Sequence, residues 1–295
     1  MTFVYCPDRG DALVAEIADA DVYMGHVNSE LIQAAKNLKW IQSPSSGVDH
    51  FLVVPELAVG DILLTSASGT HAICLAESVM GMILAFTRGV RDCVLDQERR
   101  AWDKSVRAKL VELTGSTMGI IGLGRAGRAL AKRAYAFDMR VVAVDMYTAN
   151  KPDFVEALWG MDRLDDLLRE SDYVVVTVPR TPQTMGMLGE AQIALMKPTA
   201  ILVGISRGGI IDQDAMAAAL REGRLAAVAS DVFVPEPLPE DSELWGLENL
   251  LIMPHIAGGT QLEGKYVLEI FRENLGRLLR GDLPLHNQVD KQRGF

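Results

Sequence analysis

The sequence predicts an α/β protein built on parallel sheets, and three observations carry that prediction. Over residues 3–65, short apolar runs alternate with helical patterns and turn residues. Residues 117–145, TMGIIGLGRAGRALAKRAYAFDMRVVAVD, read as strand, tight glycine turn, helix and second strand, ending on an acid. From there to residue 253 the alternation of strand and helix patterns resumes.

In order, a strand is expected at 3–6, a helix at 11–18, a strand at 22–24, and a helix at 28–37 capped by Asn28 or Ser29. Strands at 39–42 and 61–65 enclose the turn-rich SPSSGVDHF. The break falls at SASGT, residues 66–70, after which one long helix runs to about Arg91. Its most apolar part, 72–86, carries Glu77 and is too short to span a bilayer, so it reads as a buried helix. Residues 99–109 mix basic and acidic side chains and read as a solvated face, or as a subunit contact around Trp102. Beyond the glycine turn, helices are expected at 162–170 and 190–197. A third is capped by Asp212 and ended by Gly223. Strands are expected at 173–178, 200–203, 225–230 and 250–253. Thr260-Gln-Leu-Glu263 has the form of a capping box, opening a last helix to about Arg280.

The glycine turn carries chemistry. Gly122, Gly124 and Gly127 make G-x-G-x-x-G between a strand and a helix. The first glycine permits the sharp turn, the second lets a pyrophosphate approach the backbone, and the third lets the helix pack on the sheet. Free N–H groups and the dipole at the helix start then favour an anion. Asp145, 18 residues after Gly127, stands where an acid receives the ribose hydroxyls. Its carboxylate would repel a 2′-phosphate, so NAD is expected over NADP.

A formal charge of −10 argues against a nucleic-acid partner and means that an anionic substrate needs a local cation. Cys6, Cys74 and Cys93 have no metal-like spacing and read as reduced thiols of a cytoplasmic protein; no metal site and no membrane partner is expected. With 49% apolar residues the chain can bury sizeable cores, in one large domain or two.

In parallel α/β sheets, ligands meet the carboxyl edge of the strands. Arg207 follows one predicted strand, Asp231 and Glu236 the next, and His255 the last. An arginine can grip a carboxylate and polarise a ketone, because its planar fork donates to two oxygens. A histidine can protonate the new alkoxide, and Glu236 would orient the imidazole and stabilise its charged form. The expected chemistry is reduction of a 2-keto acid beside a nicotinamide.

These residues resemble the D-specific 2-hydroxyacid dehydrogenase family, which includes phosphoglycerate, glycerate and D-lactate dehydrogenases and glyoxylate/hydroxypyruvate reductases. The resemblance spans residues 38–281 and rests on SSGVDHF, AESVMGMILAFTR, TMGIIGLGRAGR, VTVPRTPQT, SRGGIID, ASDVFVPEPLP and MPHIAGGT. It implies two doubly wound parallel-sheet domains. A Rossmann NAD domain, 71–265, would be inserted into a smaller flavodoxin-like substrate domain, 1–70 and 266–295, with the active site between them. It also implies a homodimer through the NAD domain. Carried over, Arg207, Glu236 and His255 are catalytic, and Ser46 and Gly47 offer backbone N–H groups to the substrate carboxylate. Arg125, Ala126 and Gly258 join the glycines around the cofactor. Val178, Ile205 and Ser206 would line its cleft, with Asp231 at the nicotinamide carboxamide. The substrate's side chain would meet residues 24–26 and 45–51, His71 and Trp245.

Some positions depart from the family's pattern. The segment before Leu38 is short, Asp138 replaces a common glycine, and Gly204 replaces a common asparagine. Arg180 stands where an apolar residue is common and is expected in a salt bridge at the rim, or else toward an acidic substrate or a phosphate. The alternatives are an NADPH-linked glyoxylate or hydroxypyruvate reductase, which Asp145 opposes, and an NAD(H)-sensing binding protein like the co-repressors on this fold.

Overall fold

The computed structural model describes residues 2–7 and 10–294. In chain order it contains α1 (Asp11–Ile17), β1 (Val22–Met24), α2 (Ser29–Ala34), β2 (Trp40–Gln42), α3 (Asp49–Leu52), α4 (Pro55–Val59) and β3 (Leu63–Thr65). There follow α5 (Ala72–Thr87), α6 (Val90–Arg99), β4 (Thr117–Ile121), α7 (Arg125–Ala136), β5 (Arg140–Val144) and β6 (Ala157–Trp159). The chain continues with α8 (Leu164–Glu170), β7 (Tyr173–Val176), α9 (Glu190–Ile193), β8 (Ile201–Gly204), α10 (Gln213–Arg221), β9 (Ala227–Ser230), β10 (Leu250–Ile252) and α11 (Glu263–Arg280). Two compact units result, Met1–Thr70 with Thr260–Phe295, and His71–Gly259.

The first unit winds around a parallel sheet ordered β1-β2-β3. Its central strand β2 is buried at every position, and its Ile41 shares an apolar cluster with Ile17, Phe51, Leu57 and Leu64. Asn28 caps α2, its side chain accepting the Leu31 N–H at 2.9 Å, which decides between the two capping candidates. Helix α11 belongs to this unit for a visible reason. Phe271 stacks on the fully buried Trp40 with ring centroids 5.2 Å apart. Asn274, wholly buried, donates to the His286 carbonyl at 2.9 Å and accepts the His286 N–H at 2.7 Å. The second junction therefore falls before the helix, at 259/260, and not inside it at 265/266.

The second unit holds a seven-stranded, wholly parallel sheet ordered β10-β9-β8-β7-β4-β5-β6. From β4 the chain winds outward through β5 and β6, then returns to pair β7 on the other side of β4. The order reverses at β4, whose residues are all buried, and the glycine turn leaves its end. This unit is the Rossmann-type half of the α/β prediction.

Several local expectations are corrected. Residues 3–6 form no strand; Phe3, Val4 and Tyr5 are exposed, with no sheet face on which to bury. The long helix to Arg91 breaks at Gly89, where φ is +64° and a Cβ would lie 2.6 Å from Val106 Cγ1. Helices α5 and α6 consequently meet at a 64° bend, and no single helix among the described residues is long and apolar enough to cross a membrane. The capping box does not form. Thr260 Oγ1 accepts the Leu262 N–H, but α11 starts at Glu263 without a side-chain cap. The short edge strand β6 was not expected; it has no alternating pattern to announce it.

Asp138 adopts φ +55° just past the end of α7, while its carbonyl accepts the Gly115 N–H at 2.9 Å. That left-handed position explains why glycine is common there, since a Cβ is disfavoured in that region. Replacing Asp138 with Gly should stabilise the protein by about 0.5–1 kcal/mol, read as a higher urea midpoint at unchanged m-value.

Candidate active site

The glycine turn is held by contacts specific to each position. Gly122 has φ +96°, donates its N–H to the Val144 carbonyl at 2.8 Å, and would place a Cβ 2.9 Å from Val178 Cγ1. A Cβ on Gly127 would collide with the Gly122 carbonyl oxygen, so the helix start packs backbone on backbone. Gly124 differs, since nothing lies within 4 Å of a Cβ built there. It is the N-cap of the twelve-residue α7 and supplies no side-chain cap, so the amides of Arg125, Ala126 and Gly127 begin the helix beside an open approach. Those features fit a dinucleotide pyrophosphate. Thr177, not singled out in the sequence, braces the turn by donating from Oγ1 to the Gly122 carbonyl at 2.6 Å. Its only signal was its place between strand β7 and Val178.

Asp145 directly follows β5, beside this turn. Its Oδ2 accepts the Leu123 N–H at 2.6 Å and its Oδ1 accepts the Tyr147 N–H at 2.8 Å. The carboxylate is thus fastened to the backbone between Gly122 and Gly124, on the side of the turn where the sequence places the adenosine ribose. The side chains of Val178 and Ile205, expected to line a cleft, are buried in two separate apolar clusters because they continue the inward-facing rows of β7 and β8.

The next strand ends carry the reactive side chains. Because β8, β9 and β10 are parallel neighbours, the loops after them leave one edge of the sheet. Arg207 is half-buried and donates from Nη1 to the Ser206 carbonyl at 2.8 Å. Its loop is braced by Gly186, whose N–H reaches the Gly209 carbonyl at 2.8 Å. A Cβ on Gly208 would collide with the Phe233 carbonyl oxygen, so the Arg207 loop lies directly on the segment leading to Glu236. A Cβ on Gly204 would sit 3.0 Å from Ile211 Cδ1 and 3.3 Å from Ser230 Oγ. The space an asparagine would need there is already filled.

Glu236 joins two loops. Its Oε1 accepts the Phe233 N–H at 2.8 Å and its Oε2 lies 2.7 Å from His255 Nδ1. A carboxylate can only accept, so Nδ1 carries the proton in this pair and Nε2 is left to face a reactant. Both side chains remain partly solvent-accessible. His255 itself has φ +57°, an uncommon conformation for a residue with a Cβ.

Asp231 explains how that conformation is held. The residue is fully buried; its Oδ1 accepts the Ile256 N–H at 2.7 Å and its Oδ2 the Ala257 N–H at 2.9 Å. Burial pushes its carboxyl above the usual carboxylate range, partly offset by these two donors and by the nearby His255. Expected at a nicotinamide carboxamide, Asp231 has both oxygens engaged with the loop that carries His255. Leaving such buried N–H groups without acceptors costs about 1–3 kcal/mol each, which sets the strength of the clasp. Gly258, on the same loop, accepts from Cys74 Sγ at 3.0 Å.

In the first unit, Ser46 Oγ donates to the Ala67 carbonyl at 3.0 Å, and Ser45 accepts the Ala67 N–H at 2.9 Å. This fastens the Ser46-Gly47 segment at the carboxyl end of β2. His26 Nδ1 and His50 Nε2 lie 3.1 Å apart, and His26 stacks on Phe51. These side chains occupy the region where the sequence places substrate selection. Arg180 is exposed and makes no ion pair among the described residues, so the expected salt bridge is not formed. No acid lies on its short, proline-flanked segment 179–182.

Comparison with known proteins bears on family and fold. The profile of the D-isomer specific 2-hydroxyacid dehydrogenase NAD binding domain matches residues 80–257. The chain is 38% identical over 280 residues to a D-3-phosphoglycerate dehydrogenase of Methanocaldococcus jannaschii, covering 92% of this chain but 52% of that protein. It thus spans about half the length of that relative. It is 34% identical over 285 residues to a glyoxylate reductase of Thermofilum pendens, covering 94% of this chain and 84% of the relative. Among solved structures, a D-isomer specific 2-hydroxyacid dehydrogenase from Xanthobacter autotrophicus Py2, in complex with NADPH and MES, superposes with TM-score 0.84. That match has 27% identity and covers 94% of this chain and 86% of the other.

Proposed function

Since the chain belongs to the D-isomer specific 2-hydroxyacid dehydrogenase family, a family of nicotinamide-dependent oxidoreductases, we propose that it interconverts a D-2-hydroxy acid and a 2-keto acid, with NAD as its cofactor. The observation that carries the reading is the Glu236–His255 pair, 2.7 Å apart on a strand edge shared with Arg207.

The nicotinamide, when bound, supplies or receives the hydride. This chain's residues do the rest. Arg207 grips the substrate carboxylate and draws electron density from the ketone through its planar fork. In reduction, His255 gives a proton from Nε2 to the alkoxide oxygen, while Glu236 stabilises the positive imidazolium through Nδ1. In oxidation the same nitrogen takes the proton back. Arg207 also supplies the local positive charge that a chain of net charge −10 needs to attract an acid.

The choice of NAD rests on Asp145. Its carboxylate, tied to the Leu123 and Tyr147 amides, puts negative charge beside the glycine turn, where a 2′-phosphate would meet repulsion. The second reading, an NADPH-linked glyoxylate or hydroxypyruvate reductase, draws support from the NADPH held by the Xanthobacter protein. Comparing KM for NADH and NADPH separates the two.

A homodimer through the NAD-binding unit is also proposed. Trp102 is 89% exposed, and Val94 and Val111, from the same stretch, are more than half exposed. An apolar surface of this kind on a strongly charged chain fits a second copy.

Three outcomes test this reading. In a coupled assay over glyoxylate, hydroxypyruvate, pyruvate and longer 2-keto acids, His255→Ala should lower kcat by at least about 100-fold while NADH still binds by fluorescence titration; undiminished turnover would refute the assignment. Asp145→Ser should raise KM for NADH by about tenfold and relax discrimination against NADPH; unchanged selectivity would mean that the carboxylate does not meet the ribose. Trp102→Asp should shift sedimentation from dimer to monomer, and an unaltered sedimentation coefficient would place the interface elsewhere.

A further inference from the structure

Gln213, the first residue of α10, makes a two-way pair with the backbone of Val234. The Val234 N–H donates to Oε1 at 3.2 Å, and Nε2 donates to the Val234 carbonyl at 3.2 Å. The side-chain amide thereby does for Val234 what a neighbouring strand would do, satisfying its donor and its acceptor together. Both bonds need one orientation of the amide, so the pair is self-consistent.

Val234 lies in the turn that presents Glu236. Within it, the Phe233 N–H holds Glu236 Oε1, and Glu236 Oε2 holds His255. The Val234 side chain is half exposed, with its Cγ2 beside Gly208. A small recess beside the turn is lined by Ser206, Arg207, Gly208, Gln213, Met216 and Phe233. The Phe233 end of the turn rests on Gly208, whereas the Val234 N–H and carbonyl are met by Gln213. The other end of the strap is rigid. Asp212 caps α10 by accepting the Asp214 and Ala215 N–H groups at 3.0 Å, and Ile211 bridges to Leu188.

We propose that Gln213 is a positioning residue for the reaction: it straps the 233–236 turn to the start of α10 and so sets the alignment of Glu236 with His255. This rests on the reading of His255 as the acid and Glu236 as its partner. Nothing in the pair touches a reactant, and its influence passes through Val234 and Glu236 alone.

The test is a double-mutant cycle on the full chain, with kcat and KM measured for NADH-dependent reduction of its best 2-keto acid. Gln213→Ala should lower kcat about three- to tenfold and leave KM for NADH within about twofold, because a misaligned partner affects chemistry more than cofactor binding. Gln213→Glu keeps an acceptor for the Val234 N–H and should recover part of the loss; it also serves if the alanine variant loosens the helix. In a Glu236→Gln background the further change Gln213→Ala should alter kcat by less than about twofold, since the coupling runs through the missing carboxylate. Equal losses in both backgrounds would reduce Gln213 to general stability and overturn the proposal, as would a kcat unmoved by Gln213→Ala. If Glu236→Gln itself leaves kcat intact, the Glu236–His255 reading fails first, and Gln213 has nothing to act through.

Discussion

Parallel pairing of β10, β9, β8, β7 and β4 is the constraint on which the rest of the molecule depends. A parallel strand cannot be joined to its neighbour by a tight hairpin, so each connection crosses back over the sheet and every strand ends on the same edge. Residues far apart in sequence, Gly122, Arg207, Asp231, Glu236 and His255, therefore hang from one edge. The reversal of strand order at β4 opens that edge beside the glycine turn, which is where an α/β sheet admits a dinucleotide.

On that edge, rigidity comes from carboxylates bound to backbone amides more than from apolar packing. Asp145 holds the glycine turn, Asp231 holds the His255 loop, and Glu236 holds the Phe233 amide while it pairs with the imidazole. Each acid takes N–H groups that no strand or helix satisfies. The loops can thus keep unusual conformations, such as the positive φ of His255, without large side chains filling the space a substrate must enter. In a protein of net charge −10, these acids are engaged in local hydrogen bonds, and Arg207 supplies the opposing charge at the strand edge.

Legibility in the sequence followed the strength of the local signal. Strand β1 matches its expected bounds, and β4 and β5 open and close the unit expected at 117–145, because each is a short apolar run ended by turn residues or an acid. The Asp212 cap and the Gly223 stop of α10 were also readable, since they are local chemistry. The errors lie where distant contacts decide. Gly89, with Val106 packed against it, breaks a helix that no local signal ends, and residues 3–6 have strand-like composition but no sheet face to bury. Thr260 and Glu263 have capping-box spacing, yet the helix starts one residue past Leu262. Of the proposed site, the glycine turn and the order of Arg207, Glu236 and His255 along the chain were legible; Thr177 and Gln213 were not, because their partners are backbone groups 55 and 21 residues away.

The sequence by itself determined the α/β alternation, the dinucleotide turn with Asp145, and the order in which Arg207, Glu236 and His255 follow successive strands. These are one-dimensional properties, set by periodicity, glycine spacing and charge. Tertiary structure alone decided that Asp231 serves the His255 loop, that Val178 and Ile205 face inward, and that α11 returns to the small sheet. Each of those depends on which donor lies within reach of which acceptor, or which ring on which ring. Such distances arise only when strands distant in sequence are laid side by side.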